Sequence, residues 1–207
     1  MKKIEKISPE ELKQIKEIVG EAFVSNELFH EFGCVSERKD LVRVYMDAYV
    51  ECVYESGQLY GTEDGQGYIG LGFSQGAPLF PKLKMLFCMV RRIPWKTMKK
   101  FMKHVRQIAG ANEKYDKLPH IDILMVCVKK ESQGKGIARQ LVEYAQKMAG
   151  DMDVPLLFDT DMPEYAQMYQ HLGCVLYNQV TAENGVTRYN LVWEKKLLDE
   201  RTLEKNV

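Results

Sequence analysis

Neither sign of charge is in surplus in this chain: 29 lysines and arginines stand against 29 aspartates and glutamates. Wholesale nucleic-acid coating needs a basic excess, so the balance argues against it and no nucleic-acid partner is expected. Histidine is scarce, and the four present form neither an H-x3-H nor an H-E-x-x-H pair. The five cysteines, Cys34, Cys52, Cys88, Cys127 and Cys174, are odd in number, widely spaced and without a C-x-x-C pair. A metal centre and a disulfide framework are both disfavoured, and a reducing compartment fits best. No apolar run reaches the roughly 18 residues of a membrane span. The opening MKKIEKISPEELKQ lacks the apolar core of a signal peptide. These absences predict a cytoplasmic protein with no metal and no stable membrane insertion. Internal repeats and low-complexity tracts are missing as well. One absence is local: residues 65–112 contain no Asp or Glu but nine Lys or Arg.

What is present is enough apolar material for a core, 45% of 207 residues, and a length that suits a single domain over 1–207. Ser8-Pro9-Glu10-Glu11 reads as a capped helix start, followed by Leu12, Ile15, Ile18, Val19, Ala22 and Phe23 at helical spacing. A second helix is expected from Ser36 to Gly57, with Leu41, Val44, Tyr45, Ala48, Tyr49 and Cys52 on its apolar face. Two strands, 59–63 and 67–74, flank the turn signal Asp64-Gly65, and Gly70 and Gly72 mark a bulge or a close approach. Within the acid-free stretch, after Pro94, Trp95, Met98, Phe101, Met102, Val105 and Ile108 form one helical face. The basic segment 82–106 has three readings: a core-facing helix with solvated lysines, a membrane-surface helix, or a basic rim beside a polyanionic ligand. Further strands are expected at 154–160, 174–181 and 186–193, the last two joined through Asn184-Gly185, with a helix over 163–172. The charged tail LLDERTLEKNV is expected to fray. The order of elements is that of an α/β fold with a mixed central sheet flanked by helices and a basic helical insertion before the central strand.

The most informative stretch is 121–138, IDILMVCVKKESQGKGIA. A β-favouring run ends in a turn holding Gly134 and Gly136, and a helical pattern with Ile137, Leu141, Tyr144, Ala145 and Met148 on one face follows at once. The first N–H groups of a helix lack internal partners and the helix dipole adds partial positive charge, so such a turn can hold phosphate. The two glycines keep side chains out of that approach, and Lys135 adds a mobile charge. A Walker loop requires Ser or Thr after its lysine, where Gly136 stands, and a dinucleotide fingerprint requires a third glycine, where Arg139 stands. Gln133, Gly136 and Ala138 do match a third pattern, Gln/Arg-x-x-Gly-x-Gly/Ala after a strand. Downstream, past a helix and a strand, comes Met168-Tyr169-Gln170-His171-Leu172-Gly173-Cys174.

These two motifs, in this order, resemble the acetyl-CoA-binding half of the GNAT N-acetyltransferase superfamily. The likeness covers roughly 120–181 and is greatest to small-molecule N-acetyltransferases related to antibiotic-modifying enzymes. Three positions depart from the pattern: Lys130 where a proline is common, Cys174 for the usual phenylalanine, and Tyr165 for an asparagine that often holds the pantetheine arm. The resemblance implies acetyl transfer from acetyl-CoA to a primary amine, with no metal. It implies pyrophosphate held by Gln133, Gly134, Lys135, Gly136, Ile137 and Ala138, with Arg139 in reach. It implies pantetheine paired with the backbone of Val126, Cys127 and Val128, and Tyr169 as proton donor to the departing thiolate. For the base, alternation along the strand puts His120, Asp122, Leu124 and Val126 on one face, leaving Asp122, His120 or a water chain. The aromatics Phe29, His30, Phe32, Tyr45 and Tyr49 belong to the region that shapes the acceptor site in relatives. They suit an apolar or cationic small-molecule amine, if they are not simply core. Protein or peptide acetylation, an acyl-CoA-binding sensor without turnover, and assembly as a homodimer stay open.

Overall fold

A computed structural model describes residues 1–74, 78–109, 115 and 117–195. The charged tail from Leu197 onward, expected to fray, lies outside the described residues. Strands β1 (Lys2–Lys3), β2 (Leu59–Gly61), β3 (Gly67–Phe73), β4 (Ile121–Val128), β5 (Leu156–Thr160), β6 (Val175–Thr181) and β7 (Thr187–Trp193) form one sheet in the order β1-β2-β3-β4-β5-β7-β6. Only β4 and β5 run parallel; every other neighbouring pair is antiparallel. Helices α1 (Pro9–Phe23), α2 (Lys39–Glu55), α3 (Leu79–Arg92), α4 (Trp95–Ala109), α5 (Ile137–Met152) and α6 (Pro163–His171) flank it.

Local chemistry explains most boundaries. The capping box at Ser8 forms as expected: its Oγ accepts from the Glu11 amide at 3.2 Å and its own amide donates to the Glu11 carboxylate at 2.8 Å. Helix α2 starts at Lys39 and not at Ser36. Residues 34–38 make a separate turn instead, in which the Glu37 and Arg38 amides donate to the Cys34 carbonyl. The buried Arg38 then ties that turn to the end of α1 through a 2.6 Å bond from Nε to the Val24 carbonyl. The helical insertion is two helices. Its second, α4, buries Met98, Phe101 and Ile108 as the periodicity predicts, but Trp95 from the same expected face is 67% exposed.

Two cores sit on the two faces of the sheet. One joins α1, α2 and α4 to Tyr68, Met125 and Cys127; the other joins α5 and α6 to Ile69, Leu71, Ile121 and Ile123. This division exposes an error in the expected alternation of β4. Gly70 pairs with Met125 but the next residue, Leu71, pairs with Ile123, so Leu124 is an extra residue, a β-bulge. A bulge inverts the alternation beyond it. Asp122 and Leu124 therefore lie on the α2 side, whereas Val126 lies with Ile121 and Ile123 on the α5 side. The glycines opposite make room: a Cβ on Gly72 would stand 3.0 Å from the Leu124 side chain.

Gly67 does the same work on the other face. A Cβ there would meet the Ile137 Cγ2 at 2.6 Å and the Leu141 Cδ1 at 3.0 Å. Ile137 opens α5, so this close approach sets where the helix start sits against β3. Gly67→Ala is expected to destabilise the protein by about 1–3 kcal/mol, the usual cost of overpacking. A urea denaturation curve shifted to a lower midpoint checks it.

Candidate active site

Strand β5 pairs with β4 only as far as Ile123, opposite Phe158, and β4 continues to Val128 paired with β3 alone. The two strands part there, and a cavity of about 800 Å³ opens between them. One end is the phosphate turn. Gln133, Gly134, Gly136, Ile137, Ala138 and Arg139 line it, together with Val126, Cys127 and Val128 of β4. Gly134 and Gly136 have φ of 75° and 77°, a region that strongly favours glycine, and no heavy atom lies within 4 Å of either missing Cβ. Gly136 caps the 16-residue α5 with no side-chain hydrogen bond, so the helix start presents bare amides to the cavity. Lys135 is exposed and does not line the cavity. Arg139 lines it but its Nε is engaged by Glu143 at 2.6 Å.

At the middle stand Asp122 and Tyr169. Tyr169, on α6, is buried against Phe158 with ring centroids 4.8 Å apart, and burial pushes its phenol well above the ordinary range. Asp122 has its Oδ2 3.4 Å from His120 Nε2. His120 itself stands outside the lining, its Nδ1 2.7 Å from the Leu118 carbonyl. The bulge is pinned from α2, whose Tyr49 hydroxyl donates to the Leu124 carbonyl at 3.2 Å.

The other end is aromatic and acidic. Phe29, Tyr45 and Tyr49 line it as anticipated. Phe101 of α4 joins them, stacked on Phe29 with ring centroids 5.9 Å apart and edge-on to Tyr45 at 5.4 Å. His30 is exposed, and Phe32 packs behind the cluster outside the cavity. Burial pushes the Tyr45 phenol up to about 12, so it stays neutral. Sequence reasoning missed Phe101 as a lining residue, and it missed Asp159, Asp161 and Arg188 altogether. Arg188 of β7 makes a bidentate pair with Asp161, Nε to Oδ1 at 3.0 Å and Nη2 to Oδ2 at 2.9 Å, with Asp159 Oδ2 3.9 Å from its Nη1. The alternation of apolar Phe158 with Asp159 and Asp161 around the end of β5 was the available signal. Two carboxylates, Asp159 and Asp161, thus flank one guanidinium at this end. Removing one partner of so buried a pair is costly, and Asp161→Ala is expected to lower stability by about 3 kcal/mol. Thermal denaturation of the variant checks it.

A family model described as an acetyltransferase (GNAT) domain matches residues 101–173, which include the cavity's turn, β4 and Tyr169. Solved structures match across nearly the whole chain. A histone acetyltransferase and related acetyltransferase of Corynebacterium glutamicum is 18% identical, with 91% of this chain and 92% of that chain covered at a TM-score of 0.60. An agmatine N-acetyltransferase is 11% identical, with 92% and 97% covered at 0.57. Arylalkylamine N-acetyltransferase 2 of Aedes aegypti is 16% identical, with 91% and 95% covered at 0.55. No curated protein matches the sequence. Residues 101–173 thus match a GNAT acetyltransferase domain, and the chain as a whole has the mixed α/β fold of these solved structures.

Proposed function

We propose that this protein transfers an acetyl group from acetyl-CoA directly to the primary amine of a small, cationic molecule with an apolar or aryl body. The observation that carries this reading is the continuity of one cavity from bare helix-start amides, past Asp122 and Tyr169, to an aromatic and acidic end. The residues present suit the cofactor. The turn offers amides where a pyrophosphate needs donors, and its glycines leave the approach clear. The edge of β4 that β5 leaves over residues 125–128 offers backbone groups to an extended, amide-bearing arm. When bound, acetyl-CoA supplies the activated thioester.

The chain's own groups then have four tasks. The amides of 133–138 hold the pyrophosphate. A β4 amide near Val126 donates a hydrogen bond where oxygen gains negative charge, a contribution worth about 3–4 kcal/mol in other enzymes. Tyr169 keeps a proton on its oxygen for the departing sulfur. Asp122 takes the proton from the amine, directly or through water, with His120 as the next group behind it. At the acceptor end, Phe29, Tyr45, Tyr49 and Phe101 accept an apolar body, and their ring faces favour a cation. Five free thiols suit a reducing compartment, and we place the protein in the cytoplasm.

Calorimetric titration with acetyl-CoA, free CoA and ATP tests the cofactor half. Thiol release across a panel of amines tests the acceptor half. Binding of both CoA forms over ATP, with faster turnover of arylalkyl or guanidino amines than of neutral polar ones, is expected. Folded protein that binds neither CoA form would end this reading.

A further inference from the structure

Helix α3 does not line the cavity, yet it carries half of the exposed large apolar side chains among the described residues. Leu79, Phe80, Leu83, Leu86, Phe87 and Val90 are each between 49% and 76% exposed. At 100° per residue they fall on one face of the helix, a continuous apolar stripe over its length. Monomeric soluble proteins rarely leave such a patch bare. The outward aim is built in. Pro81 and Met89 are buried on the opposite face. Lys84 locks the rotation, donating to Glu51 at 2.6 Å and to Glu55 at 2.5 Å on α2. Trp95, 67% exposed at the start of α4, stands just past the end of α3.

Charge decides what covers this stripe. Lys82 and Arg91 flank it on either side, and Arg92 and Lys96 follow, all exposed. No Asp or Glu occurs from 65 to 112, and of the carboxylates on α2 beneath, Glu51 and Glu55 are taken by Lys84 while Asp47 lies within range of Arg92, leaving Lys82, Arg91 and Lys96 to set the sign of the rim. A second copy of this chain docked through the same face would bring two basic rims together without a carboxylate from either segment. An anionic bilayer answers both features, taking the apolar side chains below the headgroups and the basic ones among them. Among the described residues no helix is long and apolar enough to cross a membrane, so attachment is to the surface. We propose that α3, with Trp95, is a peripheral docking face for anionic lipid membranes. This corrects the membrane-surface reading of the basic segment in one respect: α4 spends most of its apolar face on the core, and α3 presents the lipid-facing one.

The test is co-sedimentation of the full chain with phosphatidylcholine vesicles, with and without phosphatidylglycerol, beside sedimentation velocity of the protein alone. Binding is expected only with phosphatidylglycerol. It should weaken as salt rises from about 0.1 M to about 1 M, which shortens the Debye length from about 10 Å to about 3 Å. Phe87→Glu and Leu83→Glu, both at exposed sites, should each lower vesicle affinity about tenfold or more. Arg91→Gln should lower it less, and acetyl transfer to a soluble amine should be unchanged in all three. Absence of vesicle binding, or equal binding to neutral vesicles, overturns the proposal. So does a dimer in solution that Phe87→Glu dissociates while vesicle binding is absent, which would give the face to a second copy.

Discussion

Gly136→Leu is expected to weaken acetyl-CoA binding by about a hundredfold or more. Two charge-assisted hydrogen bonds from helix-start amides, at roughly 1.5–3 kcal/mol each, amount to at least that factor. The leucine side chain would stand where those amides meet the phosphates, because nothing of the protein itself lies within 4 Å of the new Cβ to turn it elsewhere. A second effect must be separated from this one. At φ of 77° any side chain strains the backbone, by about 1–2 kcal/mol, and stability falls whatever happens to the ligand. Gly185 supplies the control. It has φ of 87° and equally empty surroundings, but it sits in the turn between β6 and β7, outside the cavity. Gly185→Leu should lower the melting temperature comparably and leave calorimetric affinity for acetyl-CoA unchanged. Equal affinities in the Gly136 variant and the parent would remove the turn from the cofactor site.

The turn was legible in the sequence because each of its parts is local. An apolar run, two glycines and a resumed helical period sit within 121–148, and nothing distant is needed to place them. The capping box of α1 and the turns at Gly65 and Gly185 were legible for the same reason. What failed depended on partners. The parity of β4 was misread because a bulge cannot be counted on the strand that carries it. Leu124 is surplus only when β4 is laid against β3. The sequence signalled a bulge through Gly70 and Gly72, but these are the accommodating side and not the inserted residue. The Asp161–Arg188 pair joins residues 27 apart, brought together because β7 comes back beside β5 with Thr160 opposite Tyr189. Periodicity in α4 named an apolar face but not where the core ends, so Trp95 was expected inside. Only the packing of α3 on α2 shows which of its sides is left uncovered.

Tyr169→Phe is expected to lower turnover by about 10²–10⁴-fold, the usual range for a positioned acid, with little change in acetyl-CoA affinity. The phenol's raised pKa is the reason to ask whether it can serve at all. A free thiol has a pKa of about 8.5, and a phenol raised above its own ordinary value of about 10 would give its proton to such a thiolate only uphill. The cavity changes the acceptor as well as the donor. Burial raises thiols elsewhere in this fold: Cys127, whose Sγ faces the Ile18 carbonyl in the α1 core, and Cys174 in the α6 core both rise to about 12. A thiolate set free beside the buried Tyr169 is desolvated in the same direction, becomes more basic, and so needs the proton more than it would in water. The raised phenol also fixes the sign of the pH effect. Tyr169 stays protonated through neutral and moderately alkaline solution, so its ionisation cannot produce a fall in rate there. Turnover of the parent should therefore hold from about pH 7 to about pH 9 as far as this residue is concerned, and the Phe variant should be slower by a constant factor across that interval. Single-turnover measurement of thiol release in parent and variant checks both statements. A variant as fast as the parent would move the donor to another group, or show that the sulfur leaves without one. A deficit that grows towards high pH would mean that the phenol titrates in that range after all.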